Sequence, residues 1–466
     1  MAISPRHTRK HSFRRASTLT SPIRQELRLL TRLAVPIVTV QVGMMAMGMA
    51  DVAMIGRVST EALAAVALGQ LMFFGLLIIG MGILQAVDPL ISQAVGAKDH
   101  RSIGTDLQRG AIIAVLLAVP ISLCALPAGW LLEVFGQPPA IIPVAESYIH
   151  ASIPGVLPFL LFVLLRQTLQ AFSRTGPLVW TIIVTNAVNV LLNWLLIFGN
   201  LGFPEMGAVG CAWATTICRF LLVFMLMALG WRQIRPHISP LRRQALELQP
   251  LMRMAALGLP IGLAFALEYG AFMATALLMG QLGTRELAGH QIAISLASFS
   301  FMFPVGLGAA ATVRVGYAVG RRDSAGARRA AGIALAGGVA VMTVFATVFL
   351  AWPDAVARMC SDQPEALAMA VVLLPLAGVF QVFDGLQAVA SGVLRGAGDT
   401  RTPMFVHLLG FWALGIPVGW YLSRRTELGP EGLWWGLVLG LAVAATILAL
   451  RVRARLGETV ERVRIN

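Results

Sequence analysis

Two carboxylates lie deep in apolar segments of this sequence. Glu268 is near the middle of residues 258–280, GLPIGLAFALEYGAFMATALLMG, and Asp384 lies within another long apolar stretch. At ~1.5 Å per helical residue the first segment reaches roughly 34 Å, enough to cross a membrane. An ionised acid at that depth costs about 2.5–3.5 kcal/mol, which favours a functional role. We interpret the pair as a site where H⁺ or Na⁺ exchanges with a cationic substrate; an acid kept protonated or paired for packing is the alternative.

A second polar group is predicted in the N-terminal half. Asp51 lies in the first apolar segment, and Asn186, Asn189 and Asn193 follow i, i+3 and i, i+4 spacing in TNAVNVLLNW. That spacing places the amides on one helical face. Carboxylate and amide oxygens suit a hard cation such as Na⁺, and Thr215 can add a hydroxyl. An amide stripe serves equally well as a contact between membrane helices.

Methionine and phenylalanine side chains indicate an adaptable apolar pocket. The first apolar segment holds Met44 and Met47, and later ones hold Phe299, Phe303 and Phe380. Thioethers are unbranched and polarisable, so they adapt to varied apolar ligands, as promiscuous binding surfaces require. Ordinary packing against lipid or neighbouring helices is the alternative for each residue.

The elements that position these residues are membrane helices. With 57% hydrophobic residues, 12% charged residues and a mean hydropathy of +0.78, the chain is predicted to be an all-α polytopic membrane protein. Twelve spans are predicted, at about 33–56, 62–92, 110–132, 142–172, 177–199, 208–231, 254–280, 287–318, 327–352, 366–393, 403–422 and 432–450.

The distribution of positive charge predicts the orientation in the membrane. The net charge is +14, but most Lys and Arg residues fall in segments on one side of the predicted spans. The loops of the other side hold only Arg57, Arg285, Arg358, Arg424 and Arg425. This asymmetry follows the positive-inside rule, so both termini are expected in the cytoplasm, and nucleic-acid binding is not expected.

The chain contains a long internal repeat. Residues 36–99 align with residues 260–323 without a gap, and the match resumes where Pro177 and Trp194 correspond to Pro403 and Trp420. Each repeat holds six spans, so two lobes of the same orientation are expected, related by a pseudo-twofold axis along the membrane normal. The predicted divisions are a basic cytoplasmic tail (1–24), an N-lobe (25–231), a cytoplasmic linker (232–250), and a C-lobe with a short basic tail (251–466).

No enzyme motif was found. The sequence has two lysines, Lys10 and Lys98, and neither completes a P-loop; GxSxG, HExxH and Cys/His metal motifs are also missing. Of four cysteines, only Cys360 is predicted outside the spans, so no external disulfide is expected. We therefore expect a transporter without cofactor or structural metal, in which rocking of the lobes exposes a midplane site to each side in turn.

Several segments resemble the multidrug and toxic compound extrusion (MATE) family, in its bacterial NorM-like branch. The resemblance covers nearly all of the chain after residue 25. It rests on MGMADVAMIGRVSTEALAAVAL, SQAVGA, VLLNWLLIFGNLGFPEMGAVGCAWAT, GLPIGLAFALEYG, ELAGHQIA and QVFDGLQAVASGVLRGAGDT. It implies a twelve-helix antiporter of the bacterial inner membrane, functional as a monomer, that exports organic cations in exchange for Na⁺ or H⁺.

The resemblance also implies site residues. By position, Glu268 and Asp384 match the family's C-lobe cation-binding acids, with Gln291 nearby, and the N-lobe polar cluster is matched by Asp51, Asn189, Asn193 and Thr215. At Phe380, one helical turn before Asp384, relatives can carry a tyrosine, which leaves the choice of ion open. Asp88 replaces a usually uncharged residue. A lipid-linked saccharide flippase of the same superfamily is the alternative function, and it ranks lower because the deepest charges are acids.

Overall fold

The computed structural model describes residues 22–458 and 460–465. Most of the predicted N-terminal tail, residues 1–21, lies outside the described residues. Within them the secondary structure is helical, without β-strands, and twelve helical segments are long and apolar enough to cross a membrane. The prediction of twelve spans in an all-α membrane protein is confirmed.

The N-lobe begins directly with a membrane helix. Its first span is α1 (Pro22–Ile55), and the second consists of two helices, α2 (Thr60–Leu84) and α3 (Val87–Gly96). The remaining N-lobe helices are α4 (His100–Ala125), the short α5 (Ala128–Val134), α6 (Ile142–Ser152), α7 (Val156–Ala171), α8 (Gly176–Phe198) and α9 (Gly207–Ile238). Pro154 lies in the single turn that joins α6 to α7 within the fourth span.

The C-lobe follows a short linker turn at Arg243–Leu246. Its helices are α10 (Leu248–Leu282), α11 (Thr284–Gly320), α12 (Ser324–Ala351), the short α13 (Pro353–Ala357), α14 (Pro364–Gly396), α15 (Arg401–His407), α16 (Ile416–Arg425) and α17 (Pro430–Gly457). A π-helical segment, Leu408–Gly415, joins α15 to α16 within the eleventh span. Helix α9 extends to Ile238, so the predicted linker is partly helical.

The sequence repeat is reproduced in backbone detail. Asp99 and Asp323 are both N-cap residues, with φ/ψ of −94/79° and −94/81°, and each accepts a hydrogen bond from the amide three residues on. The preceding residues, Lys98 and Arg322, have φ values of 57° and 59°. Matching geometry at matched positions shows that these two loops are equivalent parts of the two repeats.

The two lobes exchange the first parts of their first helices. Leu30, Leu33 and Ile37 of α1 pack into a hydrophobic core made mostly by C-lobe residues, whereas α1 joins the N-lobe core from Val40 onward. In return, the start of α10, including Met254, packs into the N-lobe core. Helices α1 and α10 therefore each belong to both lobes.

The lobes approach most closely near one face of the bundle. We call this the terminal face, because α1 begins there and α17 ends there. A Cβ added to Gly82 would come within 2.1 Å of Gly262 Cα, and one added to Gly320 would come within 2.0 Å of the Gln93 carbonyl oxygen. Only glycine permits such helix contacts. The bundle is therefore closed at the terminal face.

Polar contacts across the lobes occur in the same region. Arg314 of α11 forms a two-point ion pair with Glu26 of α1, with N–O distances of 2.8 and 2.7 Å. Arg395 of α14 donates to Gln85 Oε1 at 2.7 Å. The ion pair fastens the start of α1 to the C-lobe, where that part of the helix packs. The Arg395–Gln85 hydrogen bond crosses from the C-lobe to the N-lobe and stabilises the closed arrangement.

The described C-terminal residues beyond α17 also bridge the lobes. Arg462 donates to Asp99 Oδ2 at 3.0 Å, and the Val463 N–H donates to Gln93 Oε1 at 2.8 Å. The Gln93 amide in turn donates to the Gly396 carbonyl of the C-lobe at 2.9 Å. Ile465 is buried against the N-lobe core. The end of the chain therefore forms part of the closure at the terminal face.

Candidate functional site

The two deep acids of the C-lobe share a hydrogen-bond donor. Gln387 Nε2 lies 3.0 Å from Glu268 Oε1 and 3.3 Å from Asp384 Oδ1. Glu268 is on α10, whereas Asp384 and Gln387 are one turn apart on α14. All three side chains are buried. The structure thus brings together the two acids that the sequence predicted and adds a glutamine between them.

His407 of α15 completes this C-lobe cluster. Its Nε2 lies 2.8 Å from Gln387 Oε1, and its Nδ1 lies 3.2 Å from the Ala264 carbonyl and 4.0 Å from Glu268 Oε2. Both ring nitrogens therefore face oxygen atoms. A neutral imidazole has one N–H to donate, so a second proton on the ring would be accommodated by these acceptors.

Gln387 and His407 were not predicted from the sequence to belong to the C-lobe cluster. The i, i+3 spacing from Asp384 to Gln387 places both on one helical face, and this signal was present in the sequence. His407 lies close to the start of the predicted span 403–422, where the sequence alone favours a solvated or simply hydrogen-bonded role. Its position against α10 depends on how α15 packs, which local spacing does not reveal.

Aromatic side chains surround one side of the C-lobe cluster. Phe380, one turn before Asp384, is buried, and its ring contacts Phe272 and Trp434 at centroid distances of 5.9 and 5.7 Å. Phe380, predicted to line a substrate cavity, lies in the hydrophobic core of the C-lobe. Gln381, next in sequence, is fully buried, and both polar atoms of its amide lack a hydrogen-bond partner in the described structure.

The four predicted N-lobe residues form one hydrogen-bonded cluster. Asp51 Oδ1 accepts from Asn189 Nδ2 at 3.0 Å and from Asn193 Nδ2 at 2.6 Å, while Oδ2 accepts from Thr215 Oγ1 at 2.9 Å. Asp51, Asn189 and Asn193 are buried. The structure brings these residues together from α1, α8 and α9. Asn186, the third amide of the predicted face, instead donates to the Gly43 carbonyl at 3.0 Å.

A free acceptor atom remains beside Asp51. Asn193, which donates to Asp51, has its Oδ1 buried without a hydrogen-bond partner in the described structure. Together with the Asp51 carboxylate, this amide oxygen is a ligand of the kind that a hard cation prefers. The donor set of the N-lobe cluster is therefore compatible with a monovalent cation.

Gln291 and the predicted pocket residues lie in different places. Gln291 is an exposed residue of α11, and its side chain has no hydrogen bond to either C-lobe acid in the described structure. Met47 belongs to the N-lobe core, and Met44 Sδ lies 3.3 Å from an Arg166 nitrogen. Phe303 lines a cleft of about 500 Å³ between α1, α11 and α12, and its ring packs on that of Phe299. The structure does not gather these residues into one pocket.

Asp88 has an explanation in the structure. It is buried on α3, accepts a long hydrogen bond of 3.4 Å from Ser92 and is acted on by the charges of Arg395 and Arg166. Buried charges are tolerated where an opposite charge compensates them. Asp88 thus belongs with the positive groups near the terminal face rather than with Glu268 and Asp384.

Comparison with known proteins identifies the family. A family model described as MatE matches residues 36–195 and 260–421, which together form most of the chain and cover both repeats. The chain belongs to the MatE family. The resemblance seen in the sequence is confirmed, and the MatE assignment also confirms a transporter rather than an enzyme.

Curated relatives match the MatE chain over nearly its whole length. A probable multidrug resistance protein NorM from Bradyrhizobium diazoefficiens is 38% identical over 430 residues, which cover 91% of this chain and 92% of that protein. Multidrug resistance protein MdtK from Edwardsiella ictaluri is 34% identical over 438 residues, covering 92% and 95%.

Solved structures share the fold of this MatE chain. The eukaryotic MATE transporter AtDTX14 matches with a TM-score of 0.87 at 23% identity, covering 95% of this chain and 100% of that one. A structure described as the outward-facing conformation of a multidrug resistance MATE family transporter matches with a TM-score of 0.85 at 19% identity, covering 94% and 98%. At these identities the likeness concerns the fold alone.

Proposed function

We propose that this chain is a secondary active multidrug efflux antiporter that exports organic cations in exchange for Na⁺ or H⁺. It acts as a monomer in the bacterial cytoplasmic membrane, with the terminal face toward the cytoplasm. Its relatives named as multidrug resistance proteins support the cargo. The predominance of Lys and Arg in the loops of the terminal face supports the orientation.

The proposal rests on the small number of hydrogen-bond donors around the two C-lobe acids, Glu268 and Asp384. In the described structure one side-chain nitrogen, Gln387 Nε2, donates to both Glu268 and Asp384. Two neighbouring carboxylates in a buried site repel each other, so either a cation binds between them or one of them takes up a proton. Coupling ion and cationic cargo can both meet this requirement, and they therefore compete for the C-lobe acids.

The N-lobe acid differs in this respect. Asp51 accepts three side-chain hydrogen bonds, which already stabilise its charge. A cation bound at Asp51 is therefore stabilised less than one bound between Glu268 and Asp384. We assign the exchange step to the C-lobe and a secondary binding role to the N-lobe cluster.

Closure at the terminal face supports alternating access. The lobes pack where Gly320 of α11 meets Gln93 of α3, and Arg395 of α14 donates to Gln85, both toward the terminal face. With that face in the cytoplasm, this arrangement corresponds to the state that releases cargo outward. Rocking of the lobes about the midplane would open the terminal face and load the site from the cytoplasm.

The test is ethidium efflux from bacteria that express the chain, with Na⁺ and pH gradients imposed separately. Glu268→Gln and Asp384→Asn are each expected to abolish efflux while the protein still reaches the membrane. Glu133→Gln removes an acid from the exposed surface of α5 and is expected to keep wild-type efflux. Full efflux by both C-lobe variants would disprove the proposed exchange site, and the gradient that sustains wild-type efflux identifies the ion.

A further inference from the structure

A large apolar cleft lies in the N-lobe, apart from both carboxylate clusters. It has a volume of about 720 Å³ and opens between α4, α7, α9 and the linker that leads to α10. Its walls are almost entirely aliphatic and aromatic, and include Leu107, Ile112, Leu164, Leu165, Phe224 and Met227. This volume lies in the range of pockets that hold drug-sized ligands.

The polar wall of the cleft is fixed by Gln108. Its Nε2 donates to the carbonyls of His237, Ile238 and Pro240 at 3.0–3.1 Å, and its Oε1 accepts from the Arg242 N–H at 2.9 Å. These contacts hold the linker against α4 and occupy both polar ends of the amide. The cleft is therefore a formed site, and its specificity must come from other polar groups.

The linker exposes apolar side chains beside the cleft. Leu241, Leu246 and Leu248 are 85%, 70% and 70% exposed, and the first two line the cleft. Three leucines at this exposure are more consistent with contact to lipid than with a loop in water. The mouth of the cleft accordingly lies at the boundary between the membrane interior and the aqueous phase.

Positive and aromatic side chains meet at this boundary. Arg243 lines the cleft with an exposed side chain, and Arg235 of α9 is also exposed. The sequence Met227, Trp231, Arg235, Ile238 advances by four, four and three residues, so Trp231 and Arg235 share a helical face with two cleft-lining residues. Tryptophan and arginine are typical of residues at membrane interfaces.

We propose that this cleft binds an anionic phospholipid. One acyl chain occupies the apolar space between α4, α7 and α9, and the headgroup phosphate lies against Arg235 and Arg243. A zwitterionic lipid carries its own positive group next to the phosphate, so the two arginines favour a headgroup with net negative charge. The bound lipid fastens the linker to the N-lobe at the terminal face.

Native mass spectrometry of the purified full chain tests this proposal. The protein is supplemented with dioleoyl phosphatidylglycerol or dioleoyl phosphatidylcholine, which have identical acyl chains, and retained lipid is counted under equal activation. Wild type should retain phosphatidylglycerol in preference. The double variant Arg235→Gln/Arg243→Gln should lower that preference roughly tenfold or more. Equal retention of both lipids by wild type, or an unchanged preference in the double variant, would overturn the proposal.

Two further variants distinguish lipid binding in the cleft from a general attraction of anionic lipid to positive charge. Arg328→Gln/Arg453→Gln removes two exposed positive charges from C-lobe helices near the terminal face, and should preserve the lipid preference. Ala111→Phe fills the cleft from α4 without changing charge, and should reduce retention of both lipids. If Ala111→Phe retains phosphatidylglycerol as wild type does, the lipid is bound outside the cleft and the assignment is wrong.

Discussion

Gln387 donates to Glu268 from the neighbouring helix, with 3.0 Å between Nε2 and Oε1. The same nitrogen lies 3.3 Å from Asp384, and Gln387 Oε1 faces His407. One amide thus connects two acids and an imidazole from three helices. Its removal would leave the acids without a shared donor.

We expect Gln387→Leu to reduce ethidium efflux by at least ~10-fold, since a hydrogen bond to a charged group is worth about 1.5–3 kcal/mol. Gln291→Leu provides the matched comparison, because Gln291 is exposed and makes no hydrogen bond to either acid in the described structure. Efflux rates at equal protein level are the measurement. Equal losses in both variants would show that the contacts of Gln387 do not set the properties of the exchange site.

Asp51→Asn should destabilise the folded protein. Asparagine keeps one acceptor oxygen, which can serve the two asparagine N–H groups, but its NH2 replaces the oxygen that accepts from Thr215. The charge is lost and a buried donor is left unmatched, at about 1–3 kcal/mol of folding stability. Thr215→Val removes a single donor and should cost about 0.6 kcal/mol.

Thermal unfolding in detergent tests whether Asp51→Asn lowers stability more than Thr215→Val does. Thr446→Val is the control, because its hydroxyl is exposed and bonds to a carbonyl of its own helix. An Asp51→Asn protein as stable as Thr446→Val would contradict the hydrogen-bond geometry of the N-lobe cluster.

Truncation after Gly457 should loosen the closure at the terminal face. The missing residues include Arg462, Val463 and Ile465, which contact Asp99, Gln93 and the N-lobe core. Spin labels at Arg174→Cys and Arg328→Cys, in a background without the four natural cysteines, would report the distance between the lobes. We expect a broader distribution with a longer mean distance. An unchanged distribution would show that the helices alone hold the lobes closed.

Acid should release the end of the chain. Partial burial raises the pKa of Asp99, but hydrogen bonds from Ser102 and the charge of Arg462 outweigh it and lower the pKa to about 2. The pKa of Asp99 in the folded protein is below its ordinary value of 3.8. The stability that ionised Asp99 contributes is therefore present above pH ~4 and is lost as the pH falls toward 2.

Hydrogen exchange of a peptide that spans 458–465, corrected for the intrinsic pH dependence, measures this release. Exchange at Val463 should accelerate between pH 4 and 2, and Arg462→Gln should move the acceleration to higher pH. Exchange with the same pH midpoint in both proteins would show that Asp99 does not hold this segment.

Features that depend on neighbouring residues in the sequence could be predicted, whereas contacts between helices that are distant in the sequence could not. The spans, the repeat and the amide face of α8 depend on hydrophobicity and helical spacing, which are local properties. The contact of His407 with Gln387 requires knowledge of how α15 packs on α10, and no local pattern contains it. The short basic tail was predicted as a cytoplasmic extension, but the burial of Ile465 shows that part of it docks.

The exchange of helix ends between the lobes has a consequence for the way this chain can be divided. Leu30, Leu33 and Ile37 complete the C-lobe core, and Met254 completes that of the N-lobe. A fragment cut at the linker would keep its own six helices but lack a piece of its interior that only the other fragment supplies. Two such fragments should accumulate when they are produced together and be degraded when each is produced alone.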